Sequence, residues 1–247
     1  MLDVGNRVVM VSGASRGLGL AIARRLHDAG YRLSLGVRNP AVAALNDGSW
    51  DQTRVLVHPF DALSAPSPRR WAEATVARFG GIDGVINNAA TAAHVGIELG
   101  PAASEEEQEA IFDELLTVNV KAPLRLIRAA LPHLKRCGHG RVVNVASLSA
   151  KRIPSDAIGY PMTKFALVAL THGLRRIGWE HGIRATVLCP GFIRTAMSAE
   201  RAATVGMAPE NMLAPEDLAE TIALLLQLPN TASIAELLVN NRYEVMF

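Results

Sequence analysis

The chain has 247 residues, 49% hydrophobic and 19% charged, enough for one large α/β domain or two small ones. Its 25 basic and 23 acidic residues give a net charge of +2, which excludes the electrostatic footprint of a nucleic-acid or acidic-membrane binder. Two distant cysteines, Cys137 and Cys189, fit a reducing cytoplasmic setting with packed thiols. The apolar run Val8–Val11 is too short for a signal peptide, and nothing approaches the ~18 apolar residues of a membrane span.

Arg7–Ser12 reads as a buried parallel strand. Gly13-Ala-Ser-Arg-Gly17-Leu-Gly19 follows, then a helical pattern through Leu20, Ile22, Ala23 and Leu26 that stops at Gly30. Strand, Gly-rich turn and helix form the context of a dinucleotide site. Gly13 lets the chain turn, Gly17 lets backbone approach a pyrophosphate, and Gly19 lets helix and strand pack closely. The phosphates would meet the helix N-terminus. A second strand, Leu33–Val37, ends at Arg38 with no acidic residue at its tip. Arg38 and Arg16 would suit the 2′-phosphate of NADP, where an Asp or Glu would suit the 2′-OH of NAD.

The third strand, Arg54–His58, leads to Asp61, placed to meet an adenine edge. A helix is expected from Pro66 to Phe79, broken by Gly80-Gly81, and a fourth strand at Val85-Ile86 opens into Asn87-Asn88-Ala89-Ala90. The small residues there would let a ribose and nicotinamide lie against backbone. This alternation implies right-handed βαβ units, with Gly13, Arg38, Asp61, Asn87 and Ser147 on the carboxyl edge of one parallel sheet.

Ser104-Glu-Glu-Glu107 predicts a capping box opening a long helix that carries Asn119 and, four residues later, Pro123. Proline has no N–H, so a kink there would free the Asn119 carbonyl. The fifth strand, Arg141–Ala146, delivers Ser147. The next helix would start near Ser155, hold Pro161 in its first turn and run to His181-Gly182. Tyr160 and Lys164, four apart, share one face of it. A phenol has a pKa of about 10, and a fixed ammonium beside it would lower that value. Such a Tyr can exchange a proton with a carbonyl or alcohol oxygen, and a serine hydroxyl aimed at the same oxygen would hold it. The sixth strand, Ile183–Leu188, ends at Cys189-Pro190-Gly191-Phe192-Ile193. Small residues, Met197, Met207, Met212 and Pro209 suit a mobile lid over residues 192–213. A helix from Pro215 and a strand at Leu237–Val239 complete the pattern. His94 is a weak substrate-contact candidate. His58, His133, His139, His172 and His181 show no ligand spacing, and no metal is expected.

Ser12-Gly13-Ala-Ser-Arg-Gly17-Leu-Gly19, Asn87-Asn88-Ala89-Ala90, Asn119, Ser147, Tyr160-x-x-x-Lys164 and Pro190-Gly191 run in this order across nearly the whole chain. In this the sequence resembles the short-chain dehydrogenase/reductase family, in its short single-domain branch. The resemblance implies a doubly wound parallel α/β sheet of about seven strands, a Rossmann fold. It implies one NAD(P)-binding domain over residues 1–247. It implies the catalytic set Asn119, Ser147, Tyr160 and Lys164, with a water on Asn119 linked to Lys164. It also implies that Lys164 holds the nicotinamide ribose, and that Pro190, Gly191, Ile193 and Thr195 cover the nicotinamide end. Ser15, Leu18, Asn88 and Ala89 join Gly13, Arg16, Gly17, Gly19, Arg38, Asp61, Tyr160 and Lys164 as cofactor contacts. Two departures stand out: Ala90, where the family usually has Gly, and Asn240-Asn241, where many relatives have a glycine pair.

The expected activity is NADP(H)-dependent hydride transfer between nicotinamide and a carbonyl or secondary alcohol of a small-molecule substrate. The alternatives are an NAD-dependent alcohol dehydrogenase and a non-catalytic dinucleotide-binding regulator. The apolar ending Tyr243–Phe247 and the two long helices predict a homotetramer, a form common in the family.

Overall fold

The structure, a computed structural model, describes residues 1–99, 104–153 and 155–242. The ending Tyr243–Phe247, invoked for oligomerisation, lies outside the described residues. Seven strands form one all-parallel sheet. They are β1 (Val8–Ser12), β2 (Arg32–Val37), β3 (Val55–Pro59), β4 (Gly84–Asn87), β5 (Arg141–Val145), β6 (Arg184–Pro190) and β7 (Glu236–Val239), in the spatial order β3-β2-β1-β4-β5-β6-β7. The order reverses between β1 and β4, so a crevice opens at the carboxyl ends of these two strands.

Strand alternation splits the core into two layers. Val9, Val11, Leu33, Leu35 and Val143 face one side, where α1 (Gly17–Asp28) packs beside α7 (Pro215–Gln227). Met10, Val85, Val142 and Ala185 face the other side. There α2 (Ser67–Phe79) packs on α4 (Ala122–Cys137), with α5 (Gly159–Gly178) beside β6. Both faces of the sheet are covered, which is why its strands read as continuous apolar runs rather than alternating ones. Among the described residues, no helix is long and apolar enough to cross a membrane.

Two local expectations shift. The long helix opened by the Ser104/Glu107 capping box is not one kinked rod: α3 (Glu105–Leu116) ends in a π-helical turn, Thr117–Lys121, and α4 starts at Ala122. Widening the turn places Pro123 in the first turn of α4, where its missing N–H costs little. The helix carrying Tyr160 begins at Gly159 rather than near Ser155, because Ser155 Oγ accepts from Ala157 N–H in a local turn.

Trp71 on α2 is fully buried under the sheet. Its indole N–H donates to Ser34 Oγ at 2.8 Å, Ser34 shares a 2.7 Å bond with Thr75 Oγ1, and the ring lies against Gly36. Trp71→Ala removes the indole and leaves a void beside a buried hydroxyl. It is expected to lower stability by about 3–5 kcal/mol, read as a reduced denaturant midpoint; a loss below about 1 kcal/mol would contradict this account of the core.

Candidate functional site

The chain leaves β1 at Ser12, and Gly13 turns it at φ +70°. Ser12 Oγ accepts from the N–H groups of Asn88 and Ala89, each at 3.0 Å, and donates to Ile86 O. Asn88 Nδ2 donates back to the carbonyls of Ser12 and Gly13 at 3.0 and 3.3 Å. The turns after β1 and β4 are thereby stitched together. A Cβ on Gly19 would overlap the Gly13 carbonyl oxygen, so only glycine lets α1 approach β1 this closely. Leu18 is buried below the turn, while Ser15, Arg16 and Gly17 lie on its surface. α1 has no capping side chain and no acidic residue in its first turn, which leaves its leading N–H groups suited to an anion.

At the outer end of this crevice a cavity of about 370 Å³ is lined by Arg38, His58, Asp61, Ser67 and Arg70, among others. Arg38 follows β2 and is exposed. Asp61 is held in place: its N–H donates to Ser67 Oγ at 3.0 Å, and its Oδ1 accepts from Leu63 N–H at 3.0 Å. Arg16 sits on the Gly-rich turn, not in this lining; Arg70 and His58, which the sequence reading left out, are there instead.

At the inner end, β5 delivers Ser147, and α5 presents Tyr160 in its first turn and Lys164 one turn later. The Ser147 hydroxyl lies close enough to the Tyr160 phenol to favour its ionised form. Lys164 is buried, with Nζ 5.3 Å from the Tyr160 ring centroid and donating to Val145 O at 3.1 Å. Burial pushes the Tyr160 phenol up to about 12, against a downward pull from Ser147. Burial also draws the Lys164 ammonium down to about 8. The expectation that Lys164 holds the phenol low is therefore not met. Desolvation weakens the charge of the lysine itself and raises the tyrosine more than the serine lowers it.

Asn119, in the π turn, is 1% exposed. Its Oδ1 accepts from Thr91 N–H at 2.9 Å, and its Nδ2 donates to Thr91 O at 2.9 Å and to Thr163 Oγ1 at 3.1 Å. Thr163 in turn donates to Tyr160 O at 2.8 Å. Nothing in the sequence marked Thr91 or Thr163, whose roles exist only once three segments meet.

Beyond β6, Asn241 pairs both edges of its carboxamide with the Phe192 backbone: Oδ1 accepts from Phe192 N–H at 2.6 Å and Nδ2 donates to Phe192 O at 2.7 Å. A Cβ on Gly191 would overlap Asn241 Oδ1. Asn241 stood out in the sequence only as a departure from a glycine pair. Pro190, Gly191, Ile193 and Thr195 are carried on this pinned segment. Ile193 bridges to Leu213, with Arg194 N–H donating to Leu213 O and Leu213 N–H to Phe192 O, both at 2.9 Å. The loop so closed holds α6 (Ala196–Thr204) and a cavity of about 360 Å³ lined by Thr195, Ala199, Met207 and Met212, among others. From α6, Arg201 donates to Ser155 Oγ at 2.9 Å, across to the segment that leads into Tyr160. His94 is exposed and faces Asp156 at 3.9 Å.

Residues 7–206 match the family described as short chain dehydrogenase. An agropine synthesis reductase of Rhizobium rhizogenes is 38% identical over 228 residues, which cover 92% of this chain and 50% of that one. The chain thus spans about half the length of that curated relative. An alcohol dehydrogenase from the archaeon Thermococcus sibiricus, solved with 5-hydroxy-NADP, superposes with a TM-score of 0.80 at 30% identity over 98% of both chains. A 3-ketoacyl-(acyl-carrier-protein) reductase from Brucella melitensis, solved with NADH, gives a TM-score of 0.81 at 26% identity over 96% of this chain and 98% of that one. Sequence match, strand order and Gly-rich turn agree, and the chain belongs to the short-chain dehydrogenase/reductase family of oxidoreductases.

Proposed function

We propose that the protein is an NADP(H)-dependent carbonyl reductase, reversible as an alcohol dehydrogenase, working as a single domain in the cytoplasm. The observation that carries this reading is the convergence of Ser147 and Tyr160 on the same sheet edge as the Gly-rich turn. That turn and the α1 N-terminus fit a diphosphate. The cavity bearing Arg38 and Asp61 fits a phosphorylated adenosine, Arg38 supplying planar donors to a 2′-phosphate, with Arg16 reaching toward it from the Gly-rich turn outside the lining. A nicotinamide bound against Asn88, Ala89, Gly191 and Thr195 would supply or accept the hydride. The protein's own part is the proton. Ser147 holds the carbonyl oxygen, Tyr160 donates to it as general acid, and Lys164 orients the ribose and the phenol. The Asn119 carbonyl holds the water that returns the proton through Lys164. Residues 192–213 close over the substrate as a lid. The relative named a reductase supports the reducing direction. An NAD-dependent dehydrogenase is the second reading, supported by the neighbour that carries NADH.

A panel of aldehydes, ketones and sugar acids with NADPH, followed at the reduced-nicotinamide band, tests the activity. Turnover of at least one substrate is expected, and tight NADPH binding with no turnover across the panel overturns it. Tyr160→Phe should lower kcat by about a hundredfold to ten-thousandfold while NADPH still binds. Retention of more than about a tenth of wild-type kcat removes Tyr160 from the role of general acid.

Arg38→Asp should weaken NADPH far more than NADH, because a carboxylate would then face the 2′-phosphate. The two dissociation constants are the measurement, and an unchanged ratio means that Arg38 does not read that phosphate.

The protein is further proposed to be a homotetramer. Met162, Phe165 and Ile177 of α5 are 47%, 44% and 55% exposed, an apolar load suited to a self-complementary interface. Light scattering at micromolar concentration should give about four times the 26.4 kDa chain mass. A mass of one chain refutes association, and a mass of two refutes the tetramer.

A further inference from the structure

At the amino ends of the strands, opposite the site described above, three unlike side chains converge. Asp83 precedes β4. Cys137 is the last residue of α4. Gly138 takes φ +72°, which reverses the chain and brings His139 to the same side as Cys137. One carboxylate oxygen of Asp83, the Cys137 sulfur and a ring nitrogen of His139 lie within 4.8 Å of one another.

Asp83 is oriented from behind. The Asp83 backbone is locked between β1 and β5: its N–H donates to Val8 O and its carbonyl accepts from Arg141 N–H, both at 2.9 Å. Asp83 Oδ2 accepts from Val8 N–H at 2.8 Å, which turns Oδ1 toward His139 Nε2 at 3.5 Å. In a tetrahedral zinc site with metal–ligand distances of about 2.0–2.3 Å, neighbouring donors stand about 3.3–3.7 Å apart. The Asp83–His139 edge already has that length, and the thiol needs to close by about 1 Å at most. Cys137 now donates to Leu134 O at 3.2 Å, a weak bond that a metal would replace. All three groups are only partly buried, so an ion can reach them.

We propose that Asp83, Cys137 and His139 form a binding site for a borderline-soft divalent cation, zinc above all, with water in the fourth position. Thiolate and imidazole donors exclude magnesium and calcium as the fitting ions. Carboxylate and thiolate together neutralise the dication. Arg7 is the opposing charge, and its guanidinium is directed at backbone, donating to the carbonyls of Leu226 and His139. Arg141, also nearby, is occupied by the carbonyls of Leu228, Gly140 and Gly182. The site ties the end of α4 to the starts of β4 and β5 and takes no part in the reaction. Sequence inspection passes over it because Cys-x-His is a fragment, with its third ligand more than fifty residues away.

The test uses the full chain stripped by chelator and titrated with cobalt(II), then zinc(II). One equivalent of cobalt should give a thiolate charge-transfer band and the intense visible bands of four-coordinate cobalt, and zinc should bleach both. Cys137→Ser should abolish the charge-transfer band, and Asp83→Asn and His139→Gln should each weaken cobalt by about tenfold or more. In the wild type, zinc should also protect Cys137 from alkylation, a reading that needs no variant to fold. Absence of the band, its survival in Cys137→Ser, or alkylation unaffected by zinc overturns the proposal.

Discussion

Asn119 makes three hydrogen bonds from one buried carboxamide, two to the Thr91 backbone and one to Thr163 Oγ1. Thr91 belongs to the segment leaving β4, Asn119 to the π turn between α3 and α4, and Thr163 to the first turns of α5. An amide left unpaired at this depth would cost about 1–3 kcal/mol, so the contact specifies an arrangement as well as stabilising it. Through Thr163 the same network reaches the Tyr160 carbonyl in the first turn of α5. The π turn is the backbone's accommodation of this demand and of Pro123 together.

A second polar chain crosses the sheet below it. Asn87 Nδ2 donates to Asn144 Oδ1, Asn144 Nδ2 to Thr171 Oγ1, and Thr171 Oγ1 to Leu167 O, each at 2.8 Å. Asn87 and Asn144 stand side by side in the β4–β5 register. These bonds hold the carboxyl ends of the two central strands against α5, the helix that carries Tyr160 and Lys164. Placement of those side chains is thus a property of the sheet and of buried amides, not of a loop, which favours precise positioning over adaptability.

What was legible in the sequence had local causes. Gly13 and Gly19 announce a turn and a close packing that other residues could not occupy, and the Ser104/Glu107 capping box is written within four residues. Continuous apolar strands separated by amphipathic helices give the parallel sheet. The illegible parts depend on contacts between distant segments. Thr91 and Thr163 carry no pattern of their own. Asn241 could be noticed only as an unexpected residue, although its carboxamide does for Phe192 what a neighbouring strand would do. Pro123 signalled an irregularity correctly placed, but whether a helix answers a proline by kinking or by widening depends on what packs around it.

The electrostatics of Tyr160 and Lys164 was misjudged from sequence for an instructive reason. A spacing of four residues puts an ammonium near a phenol, and in water-like surroundings that lowers the phenol. Burial acts on both groups at once. The phenol rises to about 12, and the ammonium falls to about 8. A tyrosine so placed is held protonated throughout the neutral range. That is the form a general acid must have to deliver a proton to a carbonyl oxygen. A phenolate, the form a general base would need, is disfavoured by this surrounding, and added positive charge or hydrogen bonds at the site would restore it. Desolvation at the foot of the cleft therefore keeps the phenol protonated, and it does so through the packing of α5 against β5 and β6.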